Sequence, residues 1–83
     1  MKKYDLALAL LAQLDRRPQS QPELAAQLGV SVPTIARTVA ELRKLGCRIE
    51  SVRDGASWGY SLQDWGVFDA SRVRRYIAEG GSE

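Results

Sequence analysis

The chain has 83 residues, 45% hydrophobic and 27% charged, with a formal net charge of +2 and a pI near 9.0. That is one small domain with an ordinary globular balance, which excludes a largely disordered chain and permits, without demanding, a nucleic-acid partner. One cysteine and no histidine exclude an internal disulfide, any His-dependent metal site and a His-based catalytic triad.

From about Lys3 to Asp15, the residues Tyr4, Ala7, Leu10, Leu11 and Leu14 recur at spacings of three and four, which is one face of a helix. Leu6 and Leu8 widen its apolar surface, so the helix is expected to be covered from more than one direction. Its basic flank and apolar run invite comparison with a signal peptide. Asp5 and Gln13 interrupt the run, however, and no stretch is long enough to span a bilayer. It reads as a core helix, and the lone thiol suits a cytoplasmic protein. Arg16, Arg17 and Pro18 end it; the two charges complement the helix dipole or meet a phosphate backbone.

Ser20 followed three residues later by Glu23 is a capping-box pattern that starts a second helix. Leu24, Ala25 and Leu28 carry its apolar spacing, and Gly29 supplies the left-handed residue that ends it. Ser31 caps a third helix, with Pro33 tolerated in its first turn. Val32, Ile35, Val39, Leu42 and Leu45 form an apolar stripe, leaving Pro33, Thr34, Arg37, Ala40, Glu41 and Lys44 on the opposite face, and Gly46 ends the helix. Helix, short turn and amphipathic helix with a polar outer face make the helix-turn-helix pattern that reads the DNA major groove; a generic helical hairpin is the plainer alternative.

The period then changes. Cys47, Ile49 and Val52 bracket a β-prone segment, Asp54-Gly55 is a turn signal, and Trp58, Tyr60 and Leu62 mark a second strand. Tyr60 and Leu62 are expected to face the helices and Ser61 to point away. Gly59 inside the strand implies a bulge or a close backbone approach. The alternation from Ile49 to Val52 is imperfect, so the register stays open. Cys47 reads as a small buried hydrophobe. After Gln63, Asp69 or Ser71 caps a short helix with Val73, Tyr76 and Ile77 on one side. Trp65, Val67 and Phe68 before it either dock on the first helix or pair with another copy of the chain. Arg72, Arg74 and Arg75 read first as its solvated face and second as phosphate contacts. The tail from Gly80 is expected to be mobile.

The expected fold is therefore mainly α with a small β-hairpin: a three-helix core plus a wing, with an added short C-terminal helix. Its divisions are a winged domain over 1–64, an extension over 65–79 and a tail over 80–83. At this point LAAQLGVSVPTIARTVAELRKLG and GYSL carry a resemblance. The run from about 6 to 62 resembles the winged helix-turn-helix domain of biotin operon repressors and DeoR-type regulators. The Gly-x-Gly-Tyr usual at the wing of the former is here Ser57, Trp58, Gly59 and Tyr60. The resemblance implies DNA binding, commonly as a dimer; neither biotin binding nor ligase chemistry carries over.

The residues point to sequence-specific binding of double-stranded DNA by a small transcriptional regulator. Ser31, Pro33, Thr34, Arg37 and Thr38 are the candidates to reach base edges. Arg37 leads, because a guanidinium bonds guanine O6 and N7 together, a pair worth about 1–3 kcal/mol of discrimination; its other reading is an ion pair with Glu41. Arg43, Lys44 and Arg53 are the candidates for phosphate contact. Trp65, Phe68 and Tyr76 are the candidates for a partner or homodimer surface. The alternative function is a winged-helix module that binds protein, such as a small phage or mobile-element inhibitor or adaptor. The modest net charge, Glu41 on the reading face, Trp58 at the wing and the apolar residues around Trp65 and Phe68 favour it. No glycine loop for phosphates, carboxylate pair or activated nucleophile is present in the sequence, so neither an enzyme nor a cofactor is expected.

Overall fold

The computed structural model describes residues 3–80. Met1, Lys2 and, of the tail expected to be mobile from Gly80, residues 81–83 lie outside the described residues, as do the side chains of Lys3, Tyr4 and Asp54. The order of elements is α1 (Lys3–Arg16), β1 (Gln19–Ser20), α2 (Gln21–Leu28), α3 (Val32–Lys44), β2 (Arg48–Asp54), β3 (Ser57–Asp64) and α4 (Ala70–Ala78).

Local chemistry sets the helix ends. The Ser20 hydroxyl accepts the Glu23 N–H at 3.2 Å and the Glu23 carboxylate accepts the Ser20 N–H at 3.3 Å, the full capping box. Gly29, at φ 69°, closes α2. The Ser31 hydroxyl accepts the Thr34 N–H at 3.2 Å and starts α3. Of the two candidates for the last cap, Asp69 does the work: its Oδ1 accepts the Arg72 N–H at 2.9 Å.

The apolar faces of the three helices meet the sheet. Leu10, Leu11, Leu24, Ile35, Val39 and Leu42 are fully buried, and Ile49 and Tyr60 from the strands, with Cys47 just before β2, complete the core. Burying each large aliphatic side chain contributes about 1.5–3 kcal/mol. Leu45, the last residue of the expected α3 stripe, is instead 38% exposed, because it stands past the last helical turn as the cap.

The sheet has three strands in the order β1-β3-β2, all antiparallel, where the sequence predicted only a hairpin. The third strand is two residues long and pairs Gln19 with Tyr60 and Ser20 with Gly59. Gly59 is the reason it fits. A Cβ there would fall 2.8 Å from the Ser20 Cα and 2.9 Å from the Gln19 carbonyl carbon, so the close backbone approach is what the glycine provides. Ser20 therefore belongs to a strand and caps a helix at once, with φ −74° and ψ 161° serving both.

In the hairpin, Asp54 pairs with Ser57, so the connecting residues are Gly55 and Ala56, one position later than the predicted turn. Gly55 has φ 64° and Ala56 has no positive φ, the pattern of a type II′ turn. Ile49, Ser51 and Arg53 stand opposite Leu62, Tyr60 and Trp58. The pairing is regular from Ile49 to Asp54, with one irregularity between Arg48 and Ile49; the alternation was imperfect because polar Ser51, beneath Arg43, takes the position on the Ile49 face and Val52 the other.

Helix α4 docks on α1, while Val67, expected with Trp65 and Phe68 to dock or pair, is 73% exposed. The Arg74 guanidinium bonds both Asp15 carboxylate oxygens at 2.7 Å. The Tyr76 hydroxyl donates to Asp5 Oδ1 at 2.7 Å. Trp65 and Phe68 pack against the core of their own chain, and the Cys47 thiol donates to the Trp65 carbonyl at 3.3 Å. The arrangement is a winged helix-turn-helix with an additional C-terminal helix.

Candidate nucleic-acid interface

Helix α3 keeps an open polar face. Its inward face is anchored by Ile35, Val39 and Leu42, none more than 1% exposed. The opposite face presents Pro33, Arg37, Ala40, Glu41 and Lys44, all exposed. Ala36, also exposed, joins them; its small side chain gave no signal in the sequence.

The five candidates for base contact cluster at the start of this helix, in two settings. Ser31, Pro33 and Arg37 are exposed, whereas Thr34 and Thr38 are half-buried. Thr34 Oγ1 lies 2.9 Å from Ser31 Oγ and accepts from Arg37 Nη2 at 3.2 Å. The Thr38 hydroxyl donates to the Thr34 carbonyl at 2.8 Å. Both threonines line a cleft of about 580 Å³ between α1 and α3, with Leu6, Ala7, Leu42 and Leu45 as its apolar part. Arg37 is thus steadied from within the helix while its planar donor fork stays at the surface.

The three candidates for phosphate contact differ more. Lys44 is exposed, 3.9 Å from Glu41. Arg43 is a strut: its Nε and Nη2 donate to the Ile49 carbonyl at 3.0 and 2.6 Å, Nη2 reaches Ser51 Oγ at 3.4 Å, and its guanidinium carbon lies 5.8 Å from the Tyr60 ring centroid. It ties the end of α3 to β2. Arg53 sits at the wing tip, where Nε donates to the Gly55 carbonyl at 3.2 Å and the guanidinium lies 5.4 Å from the centroid of Trp58.

The apolar residues offered as a partner surface are largely engaged within the chain. Trp65 and Phe68 pack on the core, and Arg74 lies 5.6 Å over the Trp65 ring. Tyr76 is 37% exposed but its hydroxyl is held by Asp5, which pushes the Tyr76 phenol above its usual range. Among the triplet of C-terminal arginines, Arg74 is paired with Asp15, and its hydrogen bond holds that carboxyl below the usual carboxylate range.

Two positioning residues escaped sequence reasoning. Gln21 donates to the Tyr60 hydroxyl at 2.8 Å and so joins α2 to β3. Gln19, buried, donates to the Gln13 carbonyl at 2.7 Å and joins β1 to α1. Neither contact leaves a periodic trace. Among the described residues no group of three or more His, Cys, Asp or Glu gathers as a metal site, and no helix is long and apolar enough to cross a membrane.

Comparison with known proteins agrees with this geometry. The crystal structure of a DUF2131 family protein from Shewanella amazonensis SB2B superposes with a TM-score of 0.73 at 24% identity, covering 96% of this chain and 84% of that one; the likeness is one of fold. A search of curated proteins finds no match. The family model of the HTH domain matches residues 7–61, from within α1 to the middle of β3. The chain belongs to this helix-turn-helix family of DNA-binding domains.

Proposed function

We propose that the protein is a sequence-specific binder of duplex DNA acting as a small transcriptional regulator, with α3 in the major groove and the wing along the backbone. The observation that carries this reading is the open outer face of α3, where Arg37 stands exposed beside the capped N-terminus while the inner face is locked into the core. In this reading residues 1–64 form the DNA-binding unit and 65–79 brace it through α1. Arg37 and Ser31 approach base edges, with Pro33 against the groove wall. Thr34 and Thr38 act mainly by holding Arg37 and the helix backbone. Lys44 and Arg53 approach phosphates, and Arg43 adds charge there while bracing the wing.

The protein-binding alternative rested partly on Trp65 and Phe68, which are occupied inside the chain, so DNA is the better supported partner. The test is fluorescence anisotropy against duplexes selected from a random pool, titrated at several salt concentrations with wild type and Arg37→Ala side by side. A selected site bound far more tightly than the pool, with that advantage lost in the variant, supports the reading. Failure of the pool to enrich refutes it. The symmetry of a selected site reports whether the protein binds as a homodimer.

A further inference from the structure

Trp58 stands 49% exposed at the wing tip, a large aromatic surface that no core contact requires. Its position follows from the register. Leu62, Tyr60 and Trp58 alternate onto one face of β3, opposite Ile49, Ser51 and Arg53 of β2. On that face the first pair is in the core, and the second is roofed by Arg43 of α3. The third pair, about 7 Å further along the strand, lies beyond the helices. Trp58 and Arg53 therefore project on the side of the sheet that α3 occupies. Glu50, paired with Arg48 at 3.3 Å, falls on the opposite face. The mount is firm: Gly59, the next residue, is seated against Ser20.

A flat apolar ring with a guanidinium 5.4 Å away, on an arm fixed beside a reading helix, has the chemistry of a minor-groove contact. Apolar wedges there press between base pairs at easily unstacked steps such as TA and open the groove, while a guanidinium beside the wedge is placed to hold the flanking phosphate. We propose that Trp58, flanked by Arg53, is a wedge that enters the minor groove beside the site read by α3 and selects a deformable A·T-rich step there. This rests on the duplex-DNA reading above and adds a second, independent source of sequence preference.

The test repeats the selection from random duplexes with wild type, Trp58→Ser and Trp58→Phe, each checked by thermal melting. Wild type is expected to yield a core motif and a flanking A·T-rich step. Trp58→Ser is expected to keep the core, lose the flank and bind the wild-type site about tenfold more weakly, with Trp58→Phe retaining the flank. The wild-type protein alone gives a further readout: 2-aminopurine placed at the flanking step brightens on binding if that step is unstacked. An unchanged flank in Trp58→Ser with affinity within about twofold of wild type, or no 2-aminopurine response, overturns the wedge while leaving DNA binding by α3 intact. Uniform weakening on all sequences also overturns it, making Trp58 a backbone contact. If wild type selects no motif, the DNA reading itself fails and the wedge with it.

Discussion

Replacing Gly59 by alanine tests how the wing is attached. The added Cβ would overlap the Gln19 carbonyl and lie 2.8 Å from the Ser20 Cα and 2.9 Å from the Gln19 carbonyl carbon. All three are backbone atoms, so no side-chain rotation relieves the overlap. Gly59 is not among the residues with positive φ, so alanine brings no conformational penalty of its own. The cost is overlap and whatever pairing is lost when β1 moves away. Forcing a methyl into a filled site costs about 1–3 kcal/mol, and each ladder hydrogen bond lost adds about 0.5–1.5 kcal/mol. Together these give a loss of about 2–4 kcal/mol, out of about 4–12 kcal/mol expected for a chain of this length. Urea unfolding followed by far-UV circular dichroism measures it directly. In a thermal melt the same loss lowers the midpoint by about 10–25 °C. A Gly59→Ala protein with an unchanged urea midpoint would refute the claim that the backbone of β1 sets the need for glycine.

Three further outcomes follow from particular contacts. Arg43→Ala, which removes the two hydrogen bonds to the Ile49 carbonyl, is expected to lower stability by about 1–2 kcal/mol. Lys44→Ala should change stability by less than about 0.5 kcal/mol and instead reduce the salt slope of DNA binding by about one; equal effects of both variants on unfolding would contradict the strut. Asp15 is held below its ordinary pKa first by the hydrogen bond from Arg74, so the folded state binds fewer protons than the unfolded one, and the contact stabilises above about pH 4. The melting difference between wild type and Asp15→Asn is therefore expected to be small and flat at neutral pH and to vanish as acid protonates Asp15; a difference that grows in acid would reverse the sign. Burial, then the charge of Asp64, pushes the Cys47 thiol up, so a disulfide reagent is expected to label native protein far more slowly than urea-unfolded protein. Equal rates would show that the thiol is accessible.

The parts of this fold that were legible in sequence are those written within a few residues. The capping box at Ser20 and Glu23, the Ser31 cap and the Gly29 stop each involve partners three to five positions apart, so their spacing alone identifies them. The α1 and α3 stripes were equally plain as periodicity. What was hidden depends on partners distant in the chain. Strand β1 is too short to show alternation and exists only because Gly59 admits it; Gly59 hinted at a close approach without naming the neighbour. The destination of Arg43 depended on a strand register that polar Ser51, standing on the Ile49 face, kept unreadable, so a bracing arginine looked like a free surface cation. The turn moved by one residue because Asp54 closes the strand pairing. Trp65 and Phe68 fitted either docking or association, and the docking became visible only in the packing of the segment after β3.

The double duty of Ser20 bears on how the molecule comes apart. Its backbone lies alongside Gly59, and its side chain and N–H close the first turn of α2. The pairing with β3 holds Ser20 at the extended dihedrals its cap uses, so an opening that releases β1 from the hairpin is expected to loosen the cap of α2 as well. Hairpin and helix are therefore expected to open as one cooperative unit. Hydrogen exchange at the amides of Gly59, Ser20 and Glu23 is accordingly expected to share one opening free energy, and the wing to be lost only together with the helix that precedes the turn.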